Sequence, residues 1–131
     1  MLLYMGSSSA LATHRREQQI RCLKECASLC GDASRRFVEQ IASVGDRPLL
    51  ERFTLGIDAT RDCLTLCLLT ASLLDRKSEL SSFACVPCAQ ACRRCAEACD
   101  GLSPDDVVNA CADRCRRAEQ VCGERAAQRL A

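Results

Sequence analysis

The stretch "CVPCAQACRRCAEAC", residues 85–99, places five cysteines at steps of three, four, three and four residues. Steps of three and four keep side chains on one face of an α-helix, the face that packs into the core of a helical bundle. A half-buried strand would instead alternate with a period of two, and no such alternation occurs anywhere in the chain. The pattern therefore predicts a helix whose buried face is lined with thiols where leucines are usual.

Short breakers divide the chain into four amphipathic segments, and we expect helices over about residues 13–44, 48–77, 82–99 and 104–128. Gly45 suits the position after the end of the first helix, and Pro48 suits the first turn of the second. Ser103 is the expected N-cap of the fourth helix, with Pro104 at its first position. Short loops between sequential helices favour an all-α, antiparallel up-down-up-down four-helix bundle.

The length of 131 residues suffices for one domain with one core. We expect a flexible N-terminal segment over 1–12 and a single four-helix-bundle metal-binding domain over 13–131. Pro87 allows two arrangements of the third helix. Either it lies in the first turn, which leaves Cys85 before the helix, or it kinks the helix.

The chain has thirteen cysteines, and all of them fall on the inward faces of these helices: Cys22, Cys26, Cys30, Cys63, Cys67, Cys85, Cys88, Cys92, Cys95, Cys99, Cys111, Cys115 and Cys122. With a rise of about 1.5 Å per residue and antiparallel helices, every sulfur falls into one column. The longer first and second helices continue past this column with Phe37, Ile41, Val44, Phe53 and Ile57. The sequence therefore predicts a cysteine-lined core that an apolar plug closes at one end, and a protein that folds without metal.

Composition excludes several classes of protein. The 18 basic and 17 acidic residues nearly balance, and aromatic residues are scarce, so neither a nucleic-acid partner nor a membrane surface is indicated. No apolar run is long enough to span a bilayer. The odd number of cysteines at helical spacing argues against a secreted disulfide scaffold, and "MLLYM" is too short for a secretory leader. We therefore expect a cytoplasmic protein with reduced thiols.

A column of thiols suits soft metal ions. Zinc prefers closed sets of four ligands, whereas Cu(I) accepts small sets of thiolates that bridge neighbouring ions, so the column favours many Cu(I) ions. The alternatives are a zinc or iron–sulfur protein with a few tetrathiolate sites, a thiol redox buffer or sensor, and cysteines that serve only as small core residues. The "CVPC" motif resembles a redox dithiol, but that motif belongs after a strand and none is predicted. We expect a binding protein, not an enzyme.

The runs "CLKECASLC", "CLTLC", "CVPCAQACRRCAEAC" and "CADRC", followed by Cys122, resemble the cysteine-rich four-helix-bundle copper storage proteins of bacteria. The resemblance covers nearly the whole chain from about Arg15, and it is to the leaderless, cytosolic members. It implies that each of the thirteen cysteines binds Cu(I), that many ions are held per chain, and that the protein is a homo-oligomer, with a tetramer favoured.

Copper is expected to arrive at the cysteine-rich end, near Cys22, Cys85 and Cys122, from the thiols of a donor such as a copper chaperone or a small thiol. Related proteins often have histidines or methionines there, and here only His14 and Met5 are close in sequence. We interpret His14 as a solvated residue rather than a ligand.

The second helix holds more leucines than one buried face requires: Leu64, Leu66, Leu68, Leu69, Leu73 and Leu74. They either pack within the bundle or form a second apolar face that joins protomers, and we favour the second interpretation.

Overall fold

A computed structural model describes the backbone of residues 2–130 and the side chains of residues 9–127. It contains four helices: α1 (Leu2–Ile41), α2 (Arg47–Asp75), α3 (Ser81–Cys99) and α4 (Asp106–Leu130). No strand occurs within the described backbone, which confirms the predicted all-α class. None of these helices is long and apolar enough to cross a membrane, as judged over the described residues.

Each helix packs against two neighbours. α1 and α3 both contact α2 and α4, which is the packing of a four-helix bundle. Along the α1–α2 pair, Cys26 meets Cys63 and Phe37 meets Phe53, so residue numbers rise on one helix as they fall on the other. This is the order of contacts that the predicted up-down-up-down topology requires.

The first helix differs from its predicted extent at both ends. It begins at Leu2 rather than near Thr13, and it ends at Ile41 rather than near Val44. Two backbone bonds of the i→i+3 type, from the N–H groups of residues 43 and 44, carry the chain out of the helix. The flexibility of residues 1–12 and the single domain over 13–131 stay predictions.

The prediction that Gly45 directly follows the end of α1 was wrong, because the helix ends at Ile41. The glycine with a positive φ in the described backbone is Gly101, at 67°, directly after α3. The tight bonds after Ile41 already turn the chain, so Gly45 needs no special conformation. At Gly101, by contrast, the turn between α3 and α4 uses the freedom that glycine alone has without strain.

The N-terminus of α2 is capped as its sequence suggests. The Asp46 carboxylate accepts a hydrogen bond from the Leu49 N–H at 3.0 Å, and Pro48 lies in the first turn. The prediction for Pro48 is confirmed.

The cap of α4 was predicted two residues too early. Asp105, not Ser103, accepts the hydrogen bond from the Val107 N–H at 2.8 Å, and the helix begins after Asp105, so Pro104 precedes it. Arg36 of α1 holds the Asp105 carboxylate at 2.9 Å. This long-range ion pair favours Asp105 as the cap.

Pro87 lies inside α3 as its seventh residue, and the helix continues to Cys99. Cys85 is therefore helical and 1% exposed, so the arrangement that left it before the helix was wrong.

The apolar plug lies where the sequence predicted it. Phe37 is fully buried and meets Phe53 edge-on, with ring centroids 5.6 Å apart and an interplanar angle of 82°. Gly56 lies against the Phe37 ring and Leu102 from the α3–α4 turn. Further partly buried side chains pack against this cluster, namely Ile41, Val44 and Ile57.

The leucines of α2 divide between core and surface. Leu73 and Leu74 are buried, whereas Leu68 and Leu69 are about half exposed. Two of the six leucines therefore lie on the surface, and their role in joining protomers stays a prediction.

Candidate metal centre

All thirteen cysteines are free thiols within the core. Twelve are between 0% and 1% exposed, and Cys22 is 9% exposed. The predicted site residues therefore all point inward. The distances between their sulfur atoms show which thiols lie close together.

Sulfurs from all four helices meet around Cys63. Its Sγ lies 3.7 Å from that of Cys92, 3.8 Å from that of Cys115, and 3.9 Å from those of Cys26 and Cys67. Thiols are weak donors and acceptors, so these contacts are soft S–H···S interactions without a fixed direction. Thiols from four helices therefore meet in the core around Cys63.

The column continues from this centre toward the plug. The Cys30 sulfur lies 3.7 Å from that of Cys111 and 3.8 Å from those of Cys95 and Cys115. Cys99 extends the group further, because its thiol interacts with that of Cys111.

The column also continues toward the α2–α3 turn. The Cys67 sulfur lies 3.7 Å from that of Cys92 and 3.8 Å from that of Cys88. Cys122 of α4 then interacts with both Cys85 and Cys88. No interruption separates one part of the thiol column from the next.

Three overlapping sets of four cysteines have all their sulfurs within 4.8 Å of one another. We call them the lower set (Cys26, Cys63, Cys67, Cys92), the upper set (Cys30, Cys95, Cys111, Cys115) and the bridging set (Cys26, Cys30, Cys63, Cys115). The lower and upper sets share no residue, and the bridging set takes two members from each. Eight thiols therefore form one continuous ligand cluster.

The thiols share protons unevenly. Hydrogen bonding with Cys111 and Cys115 raises the pKa of the Cys30 thiol, while hydrogen bonds from Cys115 and Cys30 lower the pKa of Cys26. A metal ion that binds here must displace these protons, since thiolates are the ligands.

The pKa of Cys22 is raised, chiefly by burial. The charge on the neighbouring Cys26 acts in the same direction, whereas the charges of Arg117 and Arg114 partly oppose it. Charges on the surface therefore act on the thiol column at Cys22.

The sequence reasoning missed polar residues on the inward stripes, among them Thr60, Thr70 and Gln19. Thr60 and Thr70 are fully buried on the stripe of α2 that holds the cysteines, at steps of three from the nearest thiol. Thr60 donates to the carbonyls of its own helix at 2.9 Å, whereas the Thr70 hydroxyl interacts with the Cys88 thiol of α3. Gln19 is 4% exposed on the stripe of α1, three residues before Cys22. Their spacing of three residues from the nearest cysteine was the signal in the sequence that could have indicated their burial.

The residues considered for copper arrival do not form one group. Cys85 and Cys122 interact with each other and are 1% and 0% exposed, while Cys22 lies at the edge of the column. His14 is exposed and belongs to none of the four-ligand sets. Met5 lies outside the residues whose side chains are described.

Comparison with known proteins bears on this arrangement. A family model described as "Csp: Copper storage protein" matches residues 46–127, a segment that holds ten of the thirteen cysteines. A search of curated proteins finds no match. Because the family match spans well over half of the chain and falls on three of the helices that build the thiol column, the protein belongs to the copper storage protein family.

Proposed function

We propose that the protein is a cytosolic store for Cu(I) that binds many ions per chain through the thiolates of all thirteen cysteines. The observation that carries the proposal is the overlap of the three four-cysteine sets. Shared ligands suit an ion whose thiolates bridge from one ion to the next, and Cu(I) is such an ion. No step of catalysis is needed for this role.

The charge of the buried column supports the same ion. Burying unpaired charge is costly, so a loaded column is most stable when metal and thiolate charges cancel. When the column is full, one Cu(I) stands for each proton displaced, so the net charge is the same as that of the protonated thiols. The column can therefore approach about one Cu(I) per thiolate, or roughly thirteen per chain, before charge accumulates.

Zinc is the second candidate, since the lower and upper sets are disjoint. Zinc forms closed tetrahedral sites with four thiolates, and these two sets could supply two of them. Five cysteines would then have no ligand role: Cys22, Cys85, Cys88, Cys99 and Cys122. Their burial in the same column favours the copper proposal over this one.

The test is an anaerobic titration of fully reduced protein with Cu(I) against a coloured Cu(I) chelator, with a parallel titration by zinc. We expect the chelator to remain uncoloured until about ten or more Cu(I) ions per chain are bound. Colour from the first few equivalents would contradict storage.

A variant separates copper from zinc. Replacing Cys85, Cys88 and Cys122 together by serine removes three thiols and leaves both disjoint sets complete. Copper storage predicts a capacity lower by about three ions, because nearly every thiolate holds one ion. A zinc protein would keep its full zinc content and lose little copper.

The assembly and the copper donor are part of the proposal. We propose a homo-oligomer, a tetramer by preference, in which the exposed Leu68 and Leu69 of α2 meet a second chain. Copper would reach the protein from the thiols of a donor, such as a copper chaperone or a small thiol. Size-exclusion chromatography with light scattering measures the molar mass of the protein in solution. The mass of a monomer would refute the proposed homo-oligomer. Fractionation of cells tests the cytosolic location.

A further inference from the structure

A surface groove of about 590 Å³ runs between α1 and α4 and reaches the thiol column. Cys22, the most exposed of the thirteen cysteines, lines it. The groove is lined around this thiol by Gln19, Arg15, Arg21, Arg114 and Arg117, among others. We call this space the α1–α4 groove.

Gln19 is the second feature of the groove. It lines the same space, is 4% exposed, and its Oε1 has no hydrogen-bond partner. A buried amide oxygen without a partner costs free energy, of order 1–3 kcal/mol. A ligand that brings an N–H group into the groove would remove that cost.

The groove also carries free positive charge. Arg15, Arg21 and Arg117 make no ion pair with any residue whose side chain is described, whereas Arg114 is paired with Glu25 at 3.1 Å. Arg117 and Arg114 both act on the Cys22 thiol. Glu25, Asp113 and Glu124 also line the groove, so the four arginines leave a net charge of +1. An anion is therefore favoured beside Cys22.

We propose that the α1–α4 groove is the loading site of the column, and that it receives an anionic Cu(I) complex of a small thiol that carries amide N–H groups. Cys22 is the first protein ligand, Gln19 accepts from the amide, and the unpaired arginines hold the negative charge. This inference rests on the proposed storage of Cu(I). It narrows the expected arrival region to Cys22, because Cys85 and Cys122 are closed to solvent.

Transfer is a pair of ligand exchanges without oxidation or reduction. In the first, the Cys22 sulfur bonds to copper, one small thiolate leaves, and the Cys22 proton passes to it, so the departing group is a neutral thiol. In the second, Cys26, one helical turn along α1, replaces the other small thiolate in the same way. Copper remains Cu(I), and the group made of copper and its two thiolate sulfurs keeps a charge of about −1 at each step.

From Cys26 the ion is inside the cluster. The Cys26 sulfur lies 3.7 Å from that of Cys115 and 3.9 Å from that of Cys63, and it belongs to both the lower and the bridging sets. Further exchanges can therefore carry copper toward either end of the column, which frees Cys22 for the next ion.

The experiment compares initial loading rates from the Cu(I) complex of reduced glutathione, used as the small-thiol probe, under anaerobic conditions. Cys22→Ser should lower the rate at least about ten-fold and the final capacity by about one ion. The matched control Cys99→Ser removes a buried thiol at the plug end, and should lower the capacity equally with a much smaller loss of rate. Equal rates in wild type and Cys22→Ser would overturn the proposal.

Two further variants test the recognition of the probe. Arg117→Gln should slow loading from the glutathione complex several-fold and weaken its dependence on salt, whereas Arg94→Gln on α3 makes the same charge change outside the groove and should not. Gln19→Leu should slow the same reaction but not loading from Cu(I) in acetonitrile. Indifference to both Arg117→Gln and Gln19→Leu would refute recognition of a small anionic thiolate and point to a protein donor.

These outcomes are distinct from failure of the storage proposal. If wild-type protein binds only a few Cu(I) ions from either source, storage fails. If it fills completely and Cys22→Ser fills just as fast, only the loading site fails.

Discussion

Replacement of Phe37 by alanine tests whether the plug, rather than the metal column, holds the apo protein together. The Phe37 side chain is fully buried, and its ring contacts Phe53 edge-on at 5.6 Å. Gly56, across the ring, has no side chain that could fill the space left behind. The substitution therefore leaves a cavity that the plug cannot easily close.

The expected cost follows from the size of the lost group. Truncation of a buried phenylalanine to alanine costs about 3–5 kcal/mol, a range that contains the loss of an aromatic pair of about 0.5–1.5 kcal/mol. The better helix propensity of alanine returns about 0.5 kcal/mol. We expect a net loss of about 3.5 kcal/mol, a large part of the 5–15 kcal/mol typical of a domain.

Urea unfolding of the reduced protein, followed by circular dichroism with and without Cu(I), measures this effect. The neighbouring Val38 is 47% exposed, so Val38→Ala is the control and should change stability by less than about 0.5 kcal/mol. Copper bound to the folded state should offset much of the loss, about 2.7 kcal/mol for each site filled at a hundred times its Kd. A loss below about 1 kcal/mol, or a parallel fall in copper capacity, would refute the separation of plug and column.

Three other predictions follow from single positions. Gly56→Ala should destabilise the protein by about 1–2 kcal/mol, because the added Cβ would lie 3.1 Å from the Phe37 ring. Gly123→Ala, where the added Cβ meets no atom within 4 Å, should instead stabilise the protein by about 1 kcal/mol. Thermal melts measure both changes, and changes of the same sign would refute the packing argument. Pro87→Ala should raise the free energy of unfolding by at least about 1 kcal/mol, because it restores an N–H donor inside α3. Urea unfolding measures this change, and an unchanged or lower midpoint would contradict it. Burial raises the pKa of Cys22, so the thiol is protonated near neutral pH and each Cu–S bond displaces a proton. Apparent Cu(I) affinity should therefore rise with pH across the neutral range, as chelator competition would show, and a flat profile would refute protonated core thiols.

The thiol column and the plug were predictable because helical periodicity alone places them. Steps of three and four fix which residues share a face, and antiparallel pairing then sets Phe37 opposite Phe53 without further information. The same rule could have indicated Thr60 and Thr70, which continue the cysteine stripe of α2 in both directions. The burial of these two threonines was not predicted because threonine is mostly exposed in folded proteins.

Other features depend on contacts between residues distant in sequence. Ser103 and Asp105 are both good N-caps locally, and the ion pair from Arg36 distinguishes them. Gln19 and Cys22 lie on a predictable stripe, but the groove that reaches Cys22 depends on how α1 and α4 pack. No local pattern encodes that spacing.

The stripe of α2 explains how one bundle can be both stable and ready to bind metal. From the plug toward the α2–α3 turn it reads Phe53, Thr60, Cys63, Cys67 and Thr70, with every one of these side chains buried. The thiol segment is held by S–H···S contacts of 3.7–4.0 Å, which are weak and without fixed direction, so they resist metal binding little. Thiols packed in this way contribute less rigidity than leucines would. The aromatic plug must therefore supply the rigidity that the thiol segment lacks. Thr60 lies at the boundary with its hydroxyl bound to its own helix, so it adds no competing ligand to the column. Stability and metal capacity are therefore set by different residues of the same helix face, which allows either to change without the other.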